Sequence, residues 1–179
     1  MTRRYVQERP LVLIGLMGAG KTSVGKRLAA ILDVPFSDAD QEIEKAAGKS
    51  INEIFEDDGE AFFRDGERRV IARLLSEGGK VLATGGGAFM NEETRRNIAN
   101  CGLSIWLKAD LDLLMSRVSR RETRPLLRDG DPRAVMERLI AERYPVYAQA
   151  DITIVSRDVP HDVIVHEILD AVANCKACV

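Results

Sequence analysis

Gly15-Leu-Met-Gly18-Ala-Gly20-Lys21-Thr22 fits the pattern G-x-x-x-x-G-K-[ST], and its surroundings decide the fold. Before it, Leu11-Val-Leu-Ile-Gly15 is a short apolar run of the kind that forms a buried strand; after it, residues 21–32 carry apolar residues at helical spacing. A strand, a glycine turn and a helix make up the setting this motif requires. Glycines let backbone N–H groups curl around β- and γ-phosphates, and the helix N-terminus adds the positive end of its dipole. Gly18, Ala19, Gly20, Lys21 and Thr22 are therefore the nucleotide-binding candidates. Lys21 is suited to the β- and γ-phosphate oxygens, and the Thr22 hydroxyl to Mg²⁺. The alternative is an ordinary glycine-rich turn, which would match by chance in about 1 % of such chains or fewer.

Outward from the loop, short apolar runs alternate with helical patterns. Residues 34–37, 81–84, 103–107 and 152–155 read as further buried strands. Helical spacing covers 39–47, 51–77 with a break near Gly59, 91–99, 110–119, 132–148 and 160–173. Ser50-Ile-Asn-Glu53 is a capping-box candidate, and Asp131-Pro132 reads as an N-cap followed by proline in the first turn. The alternation implies an α/β fold, a parallel sheet with helices on both faces and right-handed crossovers. Two segments exceed what minimal crossovers need. Residues 38–80 hold extra helix, and 120–131 is polar, Arg-rich and turn-prone, like a lid loop.

The 179 residues suit one domain with one core, and 45 % hydrophobic with 30 % charged residues is ordinary globular composition. No apolar run approaches the roughly 18 residues of a membrane span, and MTRRYVQERP reads as a short tail without a signal core. A cytoplasmic protein is expected. Net charge is −2, so there is no global basic field for nucleic acid. Of the 26 basic residues 19 are arginine, whose rigid fork suits carboxylate and phosphate; a GC-rich genome would produce the same bias. Cys101, Cys175 and Cys178 do not make a disulfide framework, and Cys175-Lys-Ala-Cys178 lacks the second pair of a zinc site.

A GTPase or motor-type ATPase would end another strand in an acidic residue for Mg²⁺, and a guanine reader would carry Asn-Lys-x-Asp. Here Val81–Thr84 runs into Gly85-Gly86-Gly87, and Leu103–Leu107 is followed by Lys108. The carboxylates come after the second strand instead, in Ser37-Asp38-Ala39-Asp40. Two residues apart on an extended segment, they would point to one side, toward the crevice where α/β sheets bind ligands. One could contact water on Mg²⁺ while the other accepts a hydroxyl proton. The alternative is that one simply caps the following helix.

In order along the chain stand GLMGAGKT (15–22), SDAD (37–40), FFRDGE (62–67), TGGG (84–87), RPLL (124–127) and ERYPVYAQAD (142–151). Together these segments resemble the shikimate kinases, from Leu11 to about Val172. The resemblance implies a three-layer P-loop kinase fold with five parallel strands ordered 2-3-1-4-5, a helical substrate-binding insert at 38–80 and a lid at about 117–131. It implies transfer of the ATP γ-phosphoryl group to the 3-hydroxyl of shikimate, with Mg²⁺, by a monomer. By the same resemblance Asp38 joins Thr22 around Mg²⁺, and Asp40 binds shikimate hydroxyls and serves as base. Arg64 and Arg143 clamp the substrate carboxylate, and the Gly86 amide meets the substrate; Gly85 to Gly87 leave room for backbone amides to approach, which makes all three substrate-site candidates. Arg124 reaches the ATP phosphates from the lid. Arg117 and Arg120 lie against the adenine, and Arg157, after the last strand, is a further candidate there.

Phosphoryl transfer needs alignment and charge neutralisation, which Lys21, Arg124 and Mg²⁺ would supply. A small ring acid offers its carboxylate as the best handle for two arginines from distant segments. Taken singly, Arg64 and Arg143 would read as solvated helix arginines; the flanking Phe62-Phe63 and Tyr144-Pro145-Val146-Tyr147 are expected to pin their supports into the core. A nucleic-acid reading of residues 117–128 lacks aromatic platforms, since no aromatic lies between Trp106 and Tyr144. Two rival functions remain open: a gluconate kinase, whose substrate is also a carboxylate, and a nucleotide-dependent regulatory or nucleic-acid-binding module without turnover.

Overall fold

A computed structural model describes residues 2–118 and 131–175. Its sheet has five parallel strands, β1 (Leu11–Ile14), β2 (Phe36–Asp38), β3 (Val81–Ala83), β4 (Leu103–Lys108) and β5 (Ile152–Val155), in the order β2-β3-β1-β4-β5. All four residues of central β1 are buried, the unbroken apolar pattern of a strand covered on both faces. Edge strand β5 exposes Thr153 and Val155.

The helices are α1 (Thr2–Glu8), α2 (Lys21–Leu32), α3 (Ala39–Ala47), α4 (Ile51–Asp57), α5 (Gly59–Ser76), α6 (Glu92–Cys101), α7 (Leu111–Val118), α8 (Pro132–Tyr147) and α9 (His161–Asn174). They cover both faces of the sheet, α2 packing with α9 and α5 with α6. Because β1 lies between β3 and β4, the chain leaves it at the point where the strand order reverses. A crevice opens there at the carboxyl ends of the strands. The loop 15–20 occupies that crevice.

Local signals are met where expected. Ser50 and Glu53 form a complete capping box on α4, the Asp131 side chain caps α8, and the break near Gly59 is a left-handed glycine (φ 84°) between α4 and α5. Beside the main core, Ile43, Ile54 and Phe63 form a satellite cluster that ties α3, α4 and α5 together. This cluster holds the extra helices of the 38–80 segment.

Three expectations are corrected, and one further element emerges. The N-terminal tail is helical at α1, and Val6 is fully buried because α1 lies across Gly79. The second strand starts at Phe36 rather than 34, because the left-handed Asp33 caps α2 and the chain must first pass Pro35. Only Phe63 is a core anchor; Phe62 is 55 % exposed, since neighbouring helical residues face different directions. The glycine run ends in a 3-10 turn, Ala88–Met90, that sequence periodicity did not reveal.

Candidate active site

The loop after β1 is shaped by left-handed Gly18 (φ 84°) and Gly20 (φ 98°), conformations that side chains rarely adopt. Lys21 folds back over it, donating from Nζ to Gly15 O (2.7 Å) and Leu16 O (2.9 Å). The Thr22 hydroxyl donates to Asp38 Oδ2 at 2.9 Å. Asp38 Oδ1 accepts the backbone N–H of Asp40 at 3.1 Å, so Asp38 is also the N-cap of α3. The capping reading of Asp38 therefore holds, and its other carboxylate oxygen meets the Thr22 hydroxyl. Asp40 lies inside α3, not on an extended segment, and the two carboxylates converge because Asp38 caps the turn that carries Asp40.

The Thr22 hydroxyl and the Asp38 carboxylate offer hard oxygen donors at the mouth of the loop. That set suits Mg²⁺, which takes few protein ligands and retains waters. No group of three His, Cys, Asp or Glu fit for a metal occurs among the described residues.

Beyond Asp38, a cavity of about 340 Å³ opens between α5, α8 and the glycine run, lined among others by Arg64, Glu67, Gly87 and Arg143. Arg64 Nη1 donates to Glu67 Oε2 at 2.8 Å, and the guanidinium lies 5.2 Å from the Phe63 ring. Arg143, on α8, is only 8 % exposed. The glycines are there because charged groups crowd the backbone. A Cβ on Gly85 would stand 2.8 Å from Asp40 Oδ1 and 2.8 Å from Glu67 Oε1, one on Gly86 would stand 3.2 Å from Arg143 Nη1, and one on Gly87 would fall on the Arg64 guanidinium. Tyr147, fully buried, donates its hydroxyl to Gly86 O and fixes the run from below.

The electrostatics follow from burial. Asp40 is pushed up from 3.8 to about 6, first by desolvation and then by the negative charges of Asp38 and Glu67, with Lys21 pulling the other way. Burial also raises Glu67, opposed by Arg64 and Arg143. Glu67 is 3 % exposed, and its Oε1 has no hydrogen-bond partner among the described atoms. The glycine loop after β1 thus sits beside a carboxyl that burial and neighbouring negative charge push up to about 6. That carboxyl and Glu67 both crowd Gly85, and Glu67 lines a small pocket flanked by Arg64 and Arg143.

Comparison with known proteins identifies this arrangement. The family model described as shikimate kinase matches residues 17–173. A shikimate kinase from Rhodopseudomonas palustris is 62 % identical over 164 residues, spanning 92 % of this chain and 81 % of the relative. The chain belongs to the shikimate kinase family. The structure of shikimate kinase from Acinetobacter baumannii in complex with shikimate superposes with a TM-score of 0.93 at 34 % identity, covering 98 % of this chain and 99 % of that one. A gluconokinase from Sinorhizobium meliloti reaches a TM-score of 0.58 at 16 % identity, with 93 % of each chain covered, and shares the fold alone. Shikimate kinases are small-molecule phosphotransferases with ATP as phosphoryl donor.

Of the positions singled out by the shikimate kinase resemblance, Arg64, Arg143 and Gly87 line one cavity, Gly86 lies against Arg143 and Gly85 against Asp40, and Lys21, Thr22 and Asp38 gather around the adjoining loop. Arg117, on α7, donates to Gly18 O (3.1 Å), Ala19 O (3.4 Å), Ser156 Oγ (3.2 Å) and Arg157 O (3.0 Å). The Arg157 side chain turns away from the loop onto Glu167 of α9, and its carbonyl accepts from Arg117. Arg120 and Arg124, most of the 117–131 lid, and Cys178 lie outside the described residues. Sequence reasoning missed Glu67, Tyr147 and Ser156 as members of the site. For Glu67 the signal was present: it stands three residues after Arg64 on one helix face, the spacing of an ion pair. The other two carry no local signal.

Proposed function

We propose that this chain transfers the γ-phosphoryl group of ATP to the 3-hydroxyl of shikimate, giving shikimate 3-phosphate and ADP, with the residues around Gly85–Gly87 as its substrate site. One observation carries the reading: Arg64 and Arg143, 79 positions apart in sequence, line one pocket together with Glu67, and Glu67 and Asp40 both crowd Gly85. The two guanidinium groups take the carboxylate of the ring acid by charge-assisted hydrogen bonds. Glu67, held by Arg64, keeps that arginine oriented. Asp40 accepts hydrogen bonds from the ring hydroxyls and takes the 3-hydroxyl proton as the new O–P bond forms; a pKa of about 6 leaves it ionised at neutral pH yet basic enough to help.

On the donor side, the N–H groups of residues 18–22 and the start of α2 bind the phosphates, and Lys21 exchanges its two loop carbonyls for phosphate oxygens. Arg117 is assigned to the adenine, with the Arg157 backbone beside it; Arg120 at the adenine and Arg124 at the ATP phosphates rest on the family resemblance alone. Thr22 and Asp38 hold Mg²⁺, directly or through its waters. When bound, Mg²⁺ neutralises charge on the β- and γ-phosphates.

The same reading has the chain acting as a cytoplasmic monomer on small molecules rather than on nucleic acid or membrane. Its net charge of −2 agrees with this, and no described helix is long and apolar enough to cross a membrane. The test is ADP release from Mg·ATP with shikimate, with gluconate, and with neither. Turnover with shikimate alone is expected. Turnover with gluconate, or none with either acid, overturns the reading.

A further inference from the structure

The phosphate loop is gripped from outside by a residue that lies far from it in sequence. Ser156 follows β5 and is 5 % exposed. Its backbone N–H donates to Lys108 O at 2.7 Å, continuing the β4–β5 ladder, so the sheet sets its position. Its hydroxyl donates to Ala19 O at 3.0 Å and accepts from Arg117 Nη1 at 3.2 Å. The same Arg117 nitrogen donates to Gly18 O and Ala19 O, and its Nη2 to Arg157 O at 3.0 Å. Two carbonyls of the loop are thus held by α7 and by the segment after β5.

A trans peptide directs its C=O and the following N–H to opposite sides. Holding Ala19 O outward therefore turns the Gly20 N–H inward, toward the opening of α2. The N–H of Ala19 itself is used inside the loop, by Leu16 O at 3.1 Å. Gly20, which flanks this peptide, offers little steric resistance to its rotation, so an external contact helps to choose its orientation.

We propose that Ser156 is a positioning residue for the nucleotide loop: its hydroxyl, together with Arg117, locks the Ala19–Gly20 peptide so that the Gly20 N–H faces a bound phosphate. Affinity is gained because the donor is already aimed before the ligand arrives. The inference rests on the nucleotide reading of the loop.

The test compares wild type, Ser156→Ala and Ser156→Thr for ADP affinity by calorimetry and for both KM values. Ser156→Ala is expected to weaken ADP about five- to tenfold and raise KM for ATP in step, the effect of one hydrogen bond. KM for shikimate stays within about twofold, and Ser156→Thr, which keeps the hydroxyl, stays within about twofold of wild type on all three. An alanine variant with unchanged ADP affinity overturns the inference. So does a shikimate KM rising in parallel, or a threonine variant as weak as alanine, since either marks a general loss of packing. Wild type that binds no ADP overturns the nucleotide reading and the inference with it, whereas wild-type binding beside an indifferent alanine variant removes the inference alone.

Discussion

Asp40 and Arg143 carry the sharpest consequences at the scale of single residues. Asp40 is ionised only against burial and three neighbouring carboxylates, which makes it a better proton acceptor than an exposed aspartate. Asp40→Asn removes the acceptor and keeps the shape, so kcat is expected to fall at least about a hundredfold while KM for ATP stays within about threefold. Steady-state kinetics at saturating shikimate measure this, and an unchanged kcat would remove Asp40 from the chemistry. Arg143 is buried against Gly86 and faces Glu67. Arg143→Ala is expected to raise KM for shikimate about ten- to hundredfold, the worth of charge-assisted hydrogen bonds, with little change for ATP. A loss confined to ATP would show that the carboxylate clamp is misassigned.

At the scale of elements, the site depends on how helices begin and on what they rest against. The α3 N-terminus is capped by Asp38, whose other carboxylate oxygen meets Thr22, so the start of α2 and the start of α3 share one side chain. The α4 N-terminus is closed by Ser50 and Glu53, with Ser50 N donating to Glu53 Oε2 at 2.7 Å. Because α4 supplies Ile54 to the cluster under Phe63 but no group to the cavity, Ser50→Ala should affect stability and leave kinetics alone. The expected cost is about 1 kcal/mol, read as a lowered midpoint in chemical denaturation with kcat and both KM values unchanged. These caps were legible in the sequence because they act over three residues. The 3-10 turn at Ala88–Met90 was not, because its hydrogen bonds, such as Ala88 N to Gly85 O at 3.2 Å, follow from how Tyr147 and the charged groups constrain the glycines.

For the molecule as a whole, function opposes stability at Asp40. A carboxyl at about 6 in the folded chain and at 3.8 when free resists ionisation, so a folding penalty accumulates over the range where the unfolded chain has lost the proton and the folded one still holds it, and persists above that range. The penalty is absent below about pH 4, grows between about 4 and 6, and is constant above, where it amounts to about 3 kcal/mol. Asp40→Asn is therefore expected to melt together with wild type near pH 4 and higher than wild type above pH 6. Thermal melts across that range measure the gap, and parallel curves at every pH would show that Asp40 titrates normally.

The sequence by itself determined the phosphate loop, the strand–helix alternation and the caps, since each depends on residues within a few positions of one another. Through six segments in order it also determined the family. The tertiary structure alone decided that the tail packs as α1, with Val6 sealed against the core, and that Phe63 rather than Phe62 anchors the arm bearing Arg64. It alone brought Glu67 to Gly85 and Ser156 to Ala19, the latter pair 137 positions apart. Burial and convergence are properties of the packed sheet and helices. No local pattern encodes which carboxyl will lose its water or which hydroxyl will meet a distant carbonyl.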